Sequence, residues 1–155
     1  AKVSAVQKGK VGTPGLLKGQ ASSEQSMGTL SQNLPQGIFG TTAQGFRGSP
    51  VPVGQWETLH TGCATIRATV QGDTPRDYSV EILKLYPKDR TTHRNFLLKV
   101  TDPELLQLTG GIVQGMSGSP ILQDGKLIGA VTHVLVNDPT CGYGIFIENM
   151  LEAAR

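Results

Sequence analysis

The chain has 155 residues, of which 37% are hydrophobic, and is long enough for one domain with a real core. Its formal net charge is only +2 and its lysines are scattered, which argues against a nucleic-acid partner. No apolar run approaches the ~20 residues that span a membrane, so we expect no membrane segment. Two cysteines, Cys63 and Cys141, are too few for a disulfide framework or a zinc site, although one bridge between them stays open. The sequence indicates no metal site and no cofactor.

The first half of the chain contains weak signals. Residues 1–11 predict a weak strand, and residues 35–42 contain a short strand between turn residues. Residues 16–33 are polar, with apolar residues only here and there, so no element is predicted there. Residues 45–54, which include two prolines, form the best internal boundary.

The second half has clearer signals. Alternating apolar residues and turn signals predict strands over residues 62–70, 77–86, 95–100, 127–136 and 143–147. Asp102 as N-cap, Pro103 as first residue and Gly110 as terminator predict a short helix. Residues 148–154 predict a short C-terminal helix. Many short antiparallel strands with glycine turns are typical of an all-β barrel or sandwich.

Residues 115–120 read Gly-Met-Ser-Gly-Ser-Pro, and we call them the serine turn. Two apolar runs joined by Asp124-Gly125 follow, and this pattern predicts a two-residue β-hairpin. The Gly-x-Ser-x-Gly elbow of α/β-hydrolases is excluded, because it lies between a strand and a helix. The alternative is an ordinary Gly/Ser-rich turn without chemistry.

The serine turn resembles the Gly-Asp-Ser-Gly-Gly-Pro sequence of trypsin-like proteases at four of six positions, and the hairpin follows in the same place. The resemblance implies that Ser117 is the nucleophile and that the backbone N–H groups of Gly115 and Ser117 form an oxyanion hole. It also implies a specificity-pocket wall made of Thr132, His133 and Val134. The implied fold is mainly β, a trypsin-like double β-barrel with a short C-terminal helix. We therefore expect one peptidase domain over residues 1–155, with sub-barrels of about 1–50 and 55–155.

Longer matching segments point to one particular peptidase family. Residues 109–120 and 129–140, followed by residues 142–145, resemble the stage IV sporulation protein B (SpoIVB) peptidases, and looser similarity covers the first half. The resemblance implies a secreted serine endopeptidase of spore-forming bacteria, located between forespore and mother cell. Its implied partner is a membrane-anchored regulatory protein, whose cleavage activates an intramembrane protease.

A serine hydroxyl needs an imidazole base, which a carboxylate holds in the right tautomer. In the family pattern the acid lies fifteen residues before the nucleophile, which falls on Asp102. Since Asp-Pro-Glu is also an ordinary helix start, the capping and catalytic interpretations of Asp102 both stay open.

The chain has three histidines. His60 gives the trypsin chain order with Asp102 and Ser117, but its neighbours do not resemble the family's Gly-His motif. His133 is interpreted as a pocket-lining or core residue, and His93 as an exposed loop residue. The resemblance places the catalytic histidine upstream of Ala1.

These observations lead to expectations about the state of the chain, its association and its function. The chain is shortened or autoproteolytically processed, has lost the N-terminal strand or strands and the base, and is inactive by itself. The edge of residues 1–11 then invites self-association or strand exchange. The alternative function is a non-catalytic β-barrel binding module with a protease fold.

Overall fold

The computed structural model describes residues 1–21, 26–43, 45–46 and 48–155. Short strands dominate the described part, and two helices of seven residues accompany them. In chain order the elements are β1 Lys2–Gln7, β2 Leu16–Gln20, β3 Gly28–Leu34, β4 Gly37–Thr42, β5 Gly62–Ala68, β6 Arg76–Leu85, β7 Phe96–Val100, α1 Pro103–Thr109, β8 Pro120–Gln123, β9 Lys126–Leu135, β10 Asp138–Phe146 and α2 Ile147–Ala153. No helix in this part of the chain is long and apolar enough to cross a membrane.

The second half forms a closed antiparallel barrel in the order β10-β7-β6-β5-β8-β9. The alternation seen in the sequence points every second side chain of β5 and β6 into the barrel. The inward-facing residues include Ala64, Ile66, Ala68, Tyr78, Val80, Ile82, Phe96 and Leu98, all of which are buried. The hydrophobic core therefore lies inside this barrel, and the mainly β expectation is confirmed.

Two local predictions are confirmed in this half. Asp124 and Gly125 have φ values of 51° and 74° and form the tight turn between β8 and β9. Helix α1 begins after Asp102, whose carboxylate accepts backbone N–H groups of the first turn, and it ends at Gly110. Both signals are local in sequence, so no tertiary contact was needed to find them.

The first half forms two separate hairpins, β1–β2 and β3–β4. Among the described residues no ladder joins one hairpin to the other, and all seven residues of β3 are exposed. Since the two hairpins share no ladder, the described residues contain one closed barrel, and the double barrel expected from the trypsin-like resemblance is not seen. The strands β2 and β3 were also missed, because residues 16–33 carry too few apolar residues to show a period.

The two cysteines are both free. Cys63 is exposed on β5, and Cys141 is buried on β10, where burial raises the pKa of its thiol. The bridge that composition left open is therefore not formed in this structure.

Candidate functional site

Ser117 lies on the surface beside strand β9. Its hydroxyl donates a hydrogen bond of 3.0 Å to the carbonyl of Thr132. Two backbone bonds hold the serine turn to the same strand, from the Gly118 N–H to the Val131 carbonyl (2.8 Å) and from the Val131 N–H to the Ser119 carbonyl (2.9 Å). The turn is therefore fixed next to the strand segment that the sequence predicted as a pocket wall.

The N–H groups of the serine turn fall into two classes. Those with acceptors in the protein belong to Met116, Gly118 and Ser119. Within the described residues, the N–H groups of Gly115 and Ser117 donate to no protein acceptor, and both residues are exposed. Between them, the Met116 side chain is buried and anchors the turn in the core. Both N–H groups are therefore available to an acceptor outside the described protein, on the turn that carries the Ser117 hydroxyl.

The β1–β2 hairpin braces this turn from outside the barrel. The Gln114 N–H donates to the Gly15 carbonyl, and the Leu17 N–H donates to the Gln114 carbonyl, each at 2.9 Å. A Cβ added at Gly115 would lie 3.1 Å from the Leu17 side chain, so the hairpin packs directly on the turn. Sequence reasoning missed this support, because the only signal was the apolar pair at positions 16 and 17.

A pocket of ≈ 290 Å³ opens beside Ser117. Its barrel side is lined by Ala130, Val131, Thr132, His133 and Ile145, and its other side by Met150 and the turn between β3 and β4, residues 33–38. Of the predicted wall, Thr132 and His133 line the pocket, while Val134 packs against the core. A larger open cleft of ≈ 560 Å³ lies over β5 and β6 and contains none of the predicted site residues.

His60 lies far from Ser117. Its Nε2 atom pairs with Asp124 Oδ2 at 2.9 Å, at the tip of the β8–β9 hairpin. The four residues of β8, which span about 13 Å, separate this tip from the serine turn. The carbonyl of Thr61 and the Asp124 carboxylate raise the pKa of the imidazole. His60 is thus engaged at the opposite end of the strand from Ser117.

The other two histidines differ in position. His133 Nδ1 lies 2.9 Å from Thr132 Oγ1, and burial together with the nearby Arg94 lowers the pKa of its imidazole. His93 is half-buried, with a positive φ of 54°, rather than an exposed loop residue. Among the described contacts, no histidine is hydrogen-bonded to Ser117.

Asp102 accepts backbone N–H groups with both carboxylate oxygens. Oδ1 accepts from Glu104 (3.0 Å) and Leu105 (3.1 Å), and Oδ2 accepts from Ser79 (3.2 Å). Strand β7 precedes Asp102 and strand β8 follows the serine turn, and these strands are three places apart in the six-stranded ring. The described structure does not join Asp102 to Ser117 by a hydrogen bond. The cap is therefore observed, and the orienting role stays a prediction.

We expect Asp102→Asn to lower the free energy of unfolding by about 1–2 kcal/mol, as measured by urea denaturation. Asn caps a helix about as well as Asp, but its amide nitrogen cannot accept the Ser79 N–H. The orienting role predicts, in addition, a fall in kcat on the order of 10⁴-fold in a preparation with peptidase activity. An unchanged kcat would contradict that role. Asp89→Asn is a matched control, because Asp89 also accepts two backbone N–H groups, those of Thr91 and Thr92.

Comparison with known proteins gives one match. A family model described as SpoIVB peptidase S55 matches residues 1–151. The matched region includes both hairpins, the whole barrel, the serine turn and most of α2. The search of curated proteins found no significant match, and the search of solved structures found none.

Proposed function

The chain belongs to the SpoIVB peptidase S55 family, and on this basis we propose that it is a serine endopeptidase domain with Ser117 as nucleophile. The observation that carries the proposal is an exposed hydroxyl on the same turn as two N–H groups that have no acceptor in the described protein. Attack on a peptide carbonyl creates an oxyanion, and a preformed donor at that position is worth about 3–4 kcal/mol of transition-state stabilisation.

The chemistry follows from the serine hydroxyl. Its oxygen forms a bond to the substrate carbonyl carbon while the Oγ–H bond breaks and the proton passes to an imidazole base, so the hydroxyl must first give up its hydrogen bond to the Thr132 carbonyl. The same proton is then given to the departing amine, and water hydrolyses the acyl-enzyme. Among the described hydrogen bonds none joins His60, His93 or His133 to Ser117, so the proposal assigns the base to none of these three residues.

The proposed fold correspondence rests on element order. The serine turn, the β8–β9 hairpin, strand β10 and helix α2 follow one another as in the second barrel of trypsin-like proteases. In this proposal the described barrel is that second barrel, and the pocket beside Ser117 is the specificity pocket.

The substrate is proposed to be a protein, as the peptidase family implies. By the resemblance of residues 109–120 and 129–140, it is a membrane-anchored regulator whose cleavage activates an intramembrane protease. The same resemblance supports a location between forespore and mother cell.

A second candidate is a non-catalytic peptide-binding module. It is favoured by the Ser117 hydroxyl, which donates to Thr132 in place of a histidine. A peptide-cleavage assay on wild type and Ser117→Ala discriminates between the two functions. Cleavage that disappears in the variant supports the peptidase, and cleavage that persists in it would contradict Ser117 as nucleophile. If the wild-type protein binds the peptide but does not cleave it, the result favours the binding module.

Self-association stays a prediction, but the strand edge expected to mediate it moves from residues 1–11 to the β3–β4 hairpin. Strand β1 pairs with β2, and Val3 on its other edge exchanges backbone hydrogen bonds with Gly72. The outer edges of β3 and β4, in contrast, pair with no strand among the described residues. We therefore expect size-exclusion chromatography with light scattering to show species above the monomer mass. Leu30→Asp, at a 67% exposed position of β3, should shift them towards monomer, and a strictly monomeric wild type would contradict the prediction.

A further inference from the structure

We propose that the pocket beside Ser117 takes an uncharged aliphatic side chain, that of the substrate residue whose carbonyl is attacked. The inference rests on the proposed function and adds the chemical class of the substrate residue. It also assigns a role to the β3–β4 turn, residues 33–38, as the wall that selects this residue. The position of Ser117 and Gly118 at the pocket margin makes the pocket the place nearest to the reacting carbonyl.

The lining of the pocket is apolar and uncharged. On the barrel side, Ala130, Val131 and Ile145 are all buried. Among the described lining residues there is no Asp, Glu, Lys or Arg. The one titratable side chain is His133, and because burial and Arg94 lower its pKa, it is neutral near pH 7. A charged substrate side chain would meet no group of opposite charge among the described lining residues, and any hydration it loses there would go uncompensated by them.

The size of the pocket limits what it holds. Its ≈ 290 Å³ lies at the low end of the roughly 300–1,000 Å³ typical of sites for whole small molecules. The space is large enough for one aliphatic side chain, such as that of leucine, valine or methionine. Polar groups of Asn33, Gln36 and Thr132 lie around it, where a substrate backbone can find hydrogen-bond partners.

The β3–β4 turn contacts the C-terminal helix at Met150. A Cβ added at Gly37 would lie 3.2 Å from the Met150 methyl group, so the turn packs on this side chain. Leu34 and Ile38 line the pocket although they are 40% and 63% exposed. Two exposed apolar side chains at the margin of an apolar pocket gain burial when a substrate side chain enters. Both positions are therefore assigned as specificity determinants.

Methionine NMR can test the inference without catalysis. The chain has three methionines: Met150 lines the pocket, Met116 is buried under the serine turn, and Met27 is 72% exposed beside β3. The ¹³C-methyl-methionine Ser117→Ala chain is titrated with acetylated tetrapeptides that differ only in a C-terminal Leu, Lys or Asp. We expect the Leu peptide to shift the Met150 signal saturably, with a Kd at least tenfold lower than the other two. The Met27 signal should not move, and Met150→Leu assigns the resonance.

A variant that introduces a negative charge makes the test sharper. Ile38→Asp places a carboxylate on the pocket wall, at an exposed site where the barrel core is not disturbed. It should weaken the preference for the Leu peptide, because the Lys peptide gains an ion pair and the Asp peptide meets a like charge at this position. Leu30→Asp carries the same charge on the same hairpin but away from the pocket, and it should keep the wild-type order.

The outcomes separate this inference from the proposed function. Two results with the chain that keeps Ile38 would overturn the inference. One is a Lys or Asp peptide that binds as tightly as the Leu peptide or more tightly, and the other is a Met150 signal that the Leu peptide does not shift. Ser117 could still be the nucleophile in that case. Persistent cleavage by Ser117→Ala, on the other hand, would overturn the nucleophile assignment while the pocket preference stood.

Discussion

Replacing Ser117 by alanine is expected to abolish peptide cleavage, with a loss on the order of 10⁶ in kcat. The variant keeps the binding surface and the backbone donors but has no atom that can form the acyl-enzyme. The fold should survive, because the Ser117 side chain is exposed and its described hydrogen bond is the one to the Thr132 carbonyl. Hydrolysis of a fluorogenic peptide in a preparation with peptidase activity measures the loss, and circular dichroism checks the fold.

Ser119→Ala is the matched control on the same turn. Ser119 contributes its N–H to the Met116 carbonyl and its own carbonyl to the Val131 N–H, and alanine keeps both bonds. We expect its kcat to stay within about tenfold of wild type, since no transition-state contact is lost. If Ser119→Ala were the inactive variant and Ser117→Ala the active one, the assignment of the nucleophile would be wrong by two residues.

Gly111→Ala is expected to lower the free energy of unfolding by about 4 kcal/mol or more. Gly111 has a φ of 134°, and an added Cβ would lie 2.1 Å from the Pro139 carbonyl oxygen. The next residue, Ile112, donates its N–H to that same carbonyl, so the clash forces apart the segment that leads into the serine turn. Total stabilities are only about 5–15 kcal/mol, so the midpoint of urea unfolding should fall sharply.

Gly118→Ala isolates the backbone part of this effect. Gly118 also has a positive φ, 88°, but a Cβ added there meets nothing within 4 Å. Its expected cost is therefore only the conformational strain of an L-residue, about 1–2 kcal/mol. Equal costs at the two glycines would contradict the expectation that the clash with the Pro139 carbonyl dominates at Gly111.

Elements with local signals were predictable from the sequence. Asp102 and Pro103 predict the start of α1 and Gly110 predicts its end, while Asp124-Gly125 predicts the β8–β9 hairpin. The inward-facing residues of β5 and β6 alternate with period two because one face of each strand lines the core. In each case the decisive residues lie within a few positions of one another.

Features made by distant contacts were not predictable. Residues 16–33 contribute β2 and most of β3, but these strands belong to hairpins that lie outside the barrel and carry no apolar period. The bond from Gln114 to Gly15 and the packing of the β3–β4 turn on Met150 join segments about 100 residues apart. The expectation of a double barrel extends a resemblance at the serine turn to the whole chain. Among the described residues, the two hairpins of the first half form ladders only within themselves and close no second barrel.

The measurement that tests the central claim most directly is covalent labelling with a fluorophosphonate probe, followed by peptide mass spectrometry. Such a probe reacts with a serine whose hydroxyl is activated and whose oxyanion site is formed. In a preparation with peptidase activity, the account predicts one labelled serine, Ser117. The label should be lost in Ser117→Ala and kept in Ser119→Ala. A label on Ser119 or on any other serine, or an active preparation that takes no label at all, would contradict it.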